Sequence, residues 1–180
     1  VFIGIPIGGK IKSILSSLKT SIHSSRDIIR WIPPENIHLT LSFLGNISDQ
    51  DIPNIIQSIE NCITSKIFKI IIESTGVFPS ANFPKTLWIG IDKGADELTL
   101  LQKEIERSVR KFKGIYRREK FMPHITIARI RRSRRKIDVL PFLNTVYSPI
   151  ELDINSICFY ESILLPEGAQ YMVLTEFPLN

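Results

Sequence analysis

His38-Leu39-Thr40-Leu41 and His124-Ile125-Thr126-Ile127 are two copies of one tetrad, each a histidine and a threonine interleaved with aliphatics. The chain holds 3 histidines in all, so two of them in matching contexts point to a paired site. Polar and apolar residues alternate with the period of an extended strand, in which successive side chains point to opposite faces. His38 and Thr40 then share one face, about 6.6 Å apart along the strand, while Leu39 and Leu41 turn toward a core. His124 and Thr126 repeat the arrangement. Two such strands side by side would set two imidazoles and two hydroxyls over one cleft. A lone His-x-Thr on a strand is ordinarily a structural pair; its recurrence nearly half a chain length later favours a site.

Outward from the tetrads, the two halves read alike. Val1 to Ile7 is expected as a strand, and Ile11, Ile14, Leu15, Leu18 and Ile22 recur at helical spacing after it. Arg30 and Trp31 lead into Pro33-Pro34, which forbid regular structure locally, and the strand from His38 stops at Gly45. Ser48 followed by Asp51 resembles a capping box for a second helix carrying Ile52, Ile55, Ile56, Ile59 and Ile63. Residues 67–78 and 86–92 form the two arms of an expected hairpin. Leu98, Leu101, Ile105 and Val109 define a third helix with Glu104 and Glu106 among its solvent residues, and Pro123 then precedes the strand His124 to Ala128. Residues 136–144 are a short helix limited by Pro141, and 149–160 and 170–177 are strands joined by Pro166-Glu167-Gly168.

Composition bounds the class. A chain of 180 residues with 43% hydrophobic and 23% charged residues is an ordinary globular protein, expected as a single domain, 1–180, of two lobes. Cys62 and Cys158 have no CxxC spacing and read as buried thiols in a reducing compartment. No apolar run approaches the ~20 residues that span a bilayer, and the first strand leads into a polar helix rather than a cleavage site. The expectation is a cytoplasmic protein that uses no membrane and works as a monomer. Its net charge of +5 favours a polyanionic partner. The cations are uneven: Arg129, Arg131, Arg132, Arg134, Arg135 and Lys136 follow the second tetrad, and Lys111, Lys113, Arg117, Arg118 and Lys120 precede it. A charge run is often only a solvated face, but adjacency to His124 favours a phosphate-attracting role.

Histidine is the side chain that both accepts and donates a proton near neutrality. A neutral imidazole can activate water while an imidazolium protonates a leaving oxygen, and threonine hydroxyls can hold phosphate oxygens. That division of labour suits phosphodiester cleavage with no cofactor. A zinc site would need three or four convergent ligands, and neither a His-to-Cys spacing nor an HExxH run is present. GxSxG, Walker and GxGxxG motifs are also absent from the sequence. His23, among Ser24, Ser25 and Arg26, reads as a surface residue.

Two longer stretches carry a resemblance. Arg30-Trp31-Ile32-Pro33-Pro34-Glu35-Asn36-Ile37-His38-Leu39-Thr40-Leu41, with Phe43-Leu44-Gly45 after it, resembles the first signature of the 2H phosphoesterase superfamily, and Phe121-Met122-Pro123-His124-Ile125-Thr126-Ile127-Ala128-Arg129 resembles the second. Within that superfamily the chain is most similar to the RNA 2',3'-cyclic phosphodiesterases, historically called 2'-5' RNA ligases, over its whole length, including Phe159-Tyr160-Glu161-Ser162, Tyr171 and Pro178-Leu179. The resemblance implies a bilobal α+β fold: two antiparallel sheets with flanking helices, related by a pseudo-twofold around a central groove. It implies metal-independent hydrolysis of a 2',3'-cyclic phosphate at an RNA or nucleotide end to a 2'-phosphate. His124 then matches the proton acceptor on water, His38 the proton donor to the departing 3' oxygen, and Thr40 and Thr126 the phosphate holders. Arg129 matches an arginine set against the nucleotide, yet strict alternation from His124 puts it on the opposite face. Either the strand ends or bulges near Ala128, or Arg129 serves another purpose. Two competing readings are a 2'-5' RNA ligase running the same histidines in reverse and a non-catalytic RNA- or nucleotide-binding module.

Overall fold

Alternating and β-branched runs become nine strands and the amphipathic runs become helices in a computed structural model that describes residues 1–22, 28–112, 120–131, 137–165 and 168–180. His23, Lys113, Arg117, Arg118, the run from Arg132 to Lys136 and the Pro166-Glu167 corner lie outside those residues. β1 (Phe2–Pro6) passes through a 3-10 turn (Gly8–Ile11) into α1 (Lys12–Thr20), which buries Ile14, Leu15 and Leu18. A short β2 (Ile29–Trp31), a 3-10 turn (Pro34–Asn36) and β3 (His38–Phe43) follow. Then come α2 (Ile52–Glu60), the hairpin of β4 (Phe68–Phe78) and β5 (Thr86–Lys93), α3 (Ala95–Val109) and β6 (His124–Ile130). The chain closes with α4 (Leu140–Leu143), β7 (Ile150–Ile154) and a long hairpin of β8 (Ser156–Leu165) and β9 (Gly168–Pro178). Gly94, at φ +83°, turns β5 into α3, and a Cβ there would sit 2.5 Å from the Lys69 carbonyl oxygen, so glycine is required twice over.

The strands form one curled antiparallel sheet in the order β7-β4-β5-β6-β3-β1-β8-β9, with β2 added beside β6. This corrects the expectation of two separate sheets. The halves join where β3 meets β6, through the pair Leu39–Ile125; beyond it β6 exchanges its partner, taking β2 from Trp31 to Ile29. β2 itself escapes a sequence reading because three residues beside two prolines carry no period.

Leu39, Ile125, Leu87 and Ile89 form the core face, and α3 covers it with Leu98, Leu101, Ile105 and Val109, all fully buried. Each such side chain contributes roughly 1.5–3 kcal/mol relative to exposure. The opposite, concave face carries the histidines. Helices on one face thus leave the other free for a ligand.

Several local expectations change. Ser48 forms no capping box: the Asp51 N–H bonds the Ser48 carbonyl at 2.9 Å in a 3-10 turn (Asp49–Asp51), which takes the donor a side-chain cap would have used. The run 149–160 is two strands, broken at Asn155. Cys158 is buried, but Cys62 is only half-buried, its thiol donating to the Glu104 carbonyl at 3.1 Å. Glu104 and Glu106 are half-buried rather than solvent residues. Glu104 accepts from the backbone and hydroxyls of Thr64 and Ser65; burial pushes its carboxyl up, and those bonds more than reverse the effect, leaving it below the usual value. No helix among the described residues is long and apolar enough to cross a membrane.

Candidate active site

β3 and β6 run antiparallel with Leu39 opposite Ile125. Extending that register by one residue each way sets His38 opposite Thr126 and Thr40 opposite His124. The four side chains are half-buried and line one groove of about 1080 Å³. Both tetrads therefore converge as their spacing suggests.

Each imidazole is held in the same way. His38 Nδ1 lies 2.7 Å from the carbonyl oxygen of Asn36, and His124 Nδ1 lies 2.8 Å from that of Met122. A carbonyl only accepts, so each Nδ1 carries the proton and donates it, which leaves Nε2 as the nitrogen able to accept a proton. In both cases the acceptor is two residues upstream, beside a proline-bearing segment that fixes the backbone. Asn36 is fixed further, its side-chain amide donating to Ala169 at 2.8 Å.

Both histidines have their affinity for a proton lowered. Burial is the main cause, the carbonyl bond opposes it, and the charge of Arg129 lowers both further. Both are therefore mainly neutral at neutral pH, and a neighbouring anion would raise their affinity for a proton.

Arg129 reaches the groove because of a bulge. Along β5 the pairing shifts between Leu87, opposite Ala128, and Trp88, opposite Thr126, which leaves Ile127 as the extra residue. Ile127 and Ala128 are both buried, and alternation resumes with Arg129 on the histidine face, lining the groove. β3 repeats the device. Ile3 pairs with Ser42 and Gly4 with Thr40, so Leu41 is the extra residue, Leu41 and Ser42 are both buried, and Phe43 swings into the groove at 63% exposure. The Ser42 hydroxyl donates to Glu106 Oε2 at 3.0 Å, fastening this bulge to α3.

Aromatic rings flank both imidazoles. Phe2 lies over His38 at 4.6 Å with an interplanar angle of 30°, Tyr171 meets it edge-on at 5.0 Å, and Tyr160 stands 6.1 Å away. Phe78 meets His124 edge-on at 5.0 Å and Trp88 is 6.1 Å away. The Trp88 indole occupies the space above Gly76, where a Cβ would fall 2.1 Å from the ring. The sequence reading missed Phe2, Phe43 and Phe78. The shared offset of Phe43 and Arg129, five residues after each histidine, is the one signal that could have flagged a groove role for Phe43.

Of the basic residues singled out from sequence, Lys120 lines the groove and Arg131 follows β6 with its backbone N–H on the Ile28 carbonyl. Across the sheet, Arg129 stands between Arg30 and Thr86. The described residues contain no group of three or more His, Cys, Asp or Glu side chains able to hold a metal ion.

Comparison with known proteins places this geometry among relatives. The family model described as the 2'-5' RNA ligase superfamily matches residues 23–163. A protein of Aquifex aeolicus (strain VF5) named RNA 2',3'-cyclic phosphodiesterase is 34% identical, over 99% of this chain and 96% of its own length. One of the same name from Archaeoglobus fulgidus is 30% identical over 93% and 91%. Among solved structures, a Thermus thermophilus protein superposes with a TM-score of 0.80 at 22% identity, covering 99% of this chain and 96% of that one. Escherichia coli LigT complexed with 3'-AMP gives 0.77 at 18% identity with the same coverage. Both share the fold described above.

Proposed function

This chain belongs to the 2'-5' RNA ligase superfamily, and from that premise we propose that it opens 2',3'-cyclic phosphates at RNA ends to 2'-phosphates, with two histidines as base and acid and no metal. The supporting observation is the pair of imidazoles on one groove, each with Nδ1 committed to a carbonyl and Nε2 left to exchange protons. His124 Nε2 takes a proton from water as the water oxygen bonds to phosphorus. The bond from phosphorus to the 3' oxygen breaks, and His38 Nε2 delivers its proton to that oxygen, leaving a 3'-hydroxyl and a 2'-phosphate. Thr40 and Thr126 donate hydrogen bonds to the non-bridging oxygens, and Arg129 faces the charge that accumulates there. The exposed ring of Phe43 offers a stacking surface for the terminal base.

The proton bookkeeping is consistent with this order. Burial, with Arg129 adding to it, favours the neutral form of both histidines, which suits the base. The phosphodiester anion then offsets the arginine and favours the imidazolium required of the acid. The protein acts in this reading as a cytoplasmic monomer of one domain, 1–180, its two lobes related by a dyad through the Leu39–Ile125 pair. Each lobe supplies a His-x-Thr strand, an Nδ1 bond, a bulge and flanking aromatic rings.

Incubation with adenosine 2',3'-cyclic phosphate tests the proposal. The expected product is adenosine 2'-phosphate, formed at a rate unchanged by EDTA. A 3'-phosphate product would reverse the acid assignment, and loss of activity to EDTA with rescue by zinc would remove the metal-free mechanism. Ligation through a 2'-5' bond uses the same groups with an RNA 5'-hydroxyl in place of water; it is distinguished by consumption of a 5'-hydroxyl RNA.

A further inference from the structure

The groove does not end at His38. A second cavity of about 550 Å³ lies past the end of β1 and shares His38 and Tyr171 with the first. Tyr160, Tyr171 and Val173 of the β8–β9 hairpin wall it on one side, and Lys10 and Glu35, one from each 3-10 turn, lie on the other. Its volume is that of a small-ligand site. The cavity is built on fixed backbone: the Ile7 and Gly8 N–H groups both donate to the Ile37 carbonyl, at 3.2 and 3.0 Å, and a Cβ on Gly8 would fall 2.5 Å from the Pro34 oxygen. A Cβ on Gly9 would meet nothing within 4 Å, so the wall is open there.

The direction of the reaction says what can reach it. With His38 serving the 3' oxygen, the ribose lies on the His38 side of phosphorus. The RNA chain leaves that ribose through its 5' oxygen, on the same side. The geometry points to a second nucleotide subsite here, taking the penultimate residue of the RNA with its base against Tyr171 and Val173 and its backbone phosphate toward Lys10. The composition matches such an occupant. The half-buried Tyr171 ring offers a π-face, the 52% exposed Val173 an apolar one, and Lys10 a cation. Glu35, acceptor-only when ionised, suits the amino groups of a base.

This subsite rests on the proposed hydrolase reading, and a binding measurement separates the two. Titration calorimetry compares adenosine 2'-phosphate with the dinucleotide ApA carrying a terminal 2'-phosphate. The wild-type protein is expected to bind the dinucleotide about tenfold more tightly, the scale of one stacked base. Val173→Trp, which fills the cavity, should bring that ratio close to one while leaving the mononucleotide affinity unchanged. Lys10→Ala, a surface charge removal that tests the site independently of whether the tryptophan fits, should lower the ratio severalfold and flatten its salt dependence. Equal wild-type affinities, no binding of the dinucleotide, or a ratio untouched by both variants overturns the subsite. Dinucleotide preference in a protein that fails to open cyclic phosphates upholds the subsite and overturns the reaction; normal turnover of the mononucleotide without that preference does the reverse.

Discussion

The β3 half and the β6 half of this molecule use one backbone device to opposite chemical ends. Each runs a His-x-Thr strand, ties Nδ1 to the carbonyl two residues back, and then bulges so that the fifth residue after the histidine returns to the groove. In one half that residue is the aromatic Phe43, in the other the cationic Arg129. The surroundings of the imidazoles differ as well: His38 has the face of Phe2 over it, whereas among the described residues His124 meets the rings of Phe78 and Trp88 edge-on and is the more exposed of the two. A near-symmetric backbone thus carries an asymmetric groove, and asymmetry is what a reaction with one acid and one base requires.

The sharpest way to break the comparison is to delete each histidine in turn. His38→Ala and His124→Ala should each lower cyclic phosphate hydrolysis by at least ~10², the scale of general acid or base catalysis. Near-normal turnover by either folded variant would end the two-histidine mechanism. Next in size, Thr40→Val and Thr126→Val should each remove the proposed hydrogen bond to the phosphate, worth about 1.5–3 kcal/mol. Steady-state kinetics should show losses of roughly 10- to 100-fold in kcat/KM, and an unaltered value for either would free that threonine from the phosphate.

Stability separates the halves differently. Gly76→Ala forces a Cβ to 2.1 Å from the Trp88 indole beside His124, whereas Gly4→Ala meets the Leu39 carbonyl at 2.8 Å beneath His38. Each should cost about 1–3 kcal/mol through overpacking, read as a lower Tm, with a change in indole fluorescence only for Gly76→Ala. Unaltered fluorescence in that variant would contradict the packing of Trp88 on Gly76. The smallest effect concerns Arg129, whose charge lowers the proton affinity of both His38 and His124. Removing a cation makes protonation easier, so Arg129→Gln should move both histidine titrations to higher pH, as followed by proton NMR. A shift of His124 alone would show that the two halves do not share this residue.

Residues near the tetrads were legible because strand alternation is local: a half-buried strand writes its two faces into every second residue. Helix α3 was legible for the same reason at a longer period. Arg129 was named through the resemblance and not through alternation, because alternation breaks at Ile127 and the break is defined by pairing with Leu87 and Trp88, in a strand well upstream in the chain. Glu104 and Glu106 read as solvent residues because helical spacing shows which side faces the core. It does not show that Thr64, Ser65 and Ser42 arrive at the rim to use the carboxylates. The sheet count failed on the single pair Leu39–Ile125, which no periodicity encodes.

By itself the sequence determined that two histidines and two threonines would stand on strand faces above aliphatic cores, since that depends only on the period of an extended chain. Only the tertiary structure decided that the strands would be neighbours, that both would bulge at the same step, and that His38 would face a second cavity between β9 and the 3-10 turns. Those outcomes depend on register between distant segments, and register is set by the buried faces meeting one another rather than by any residue's own preference.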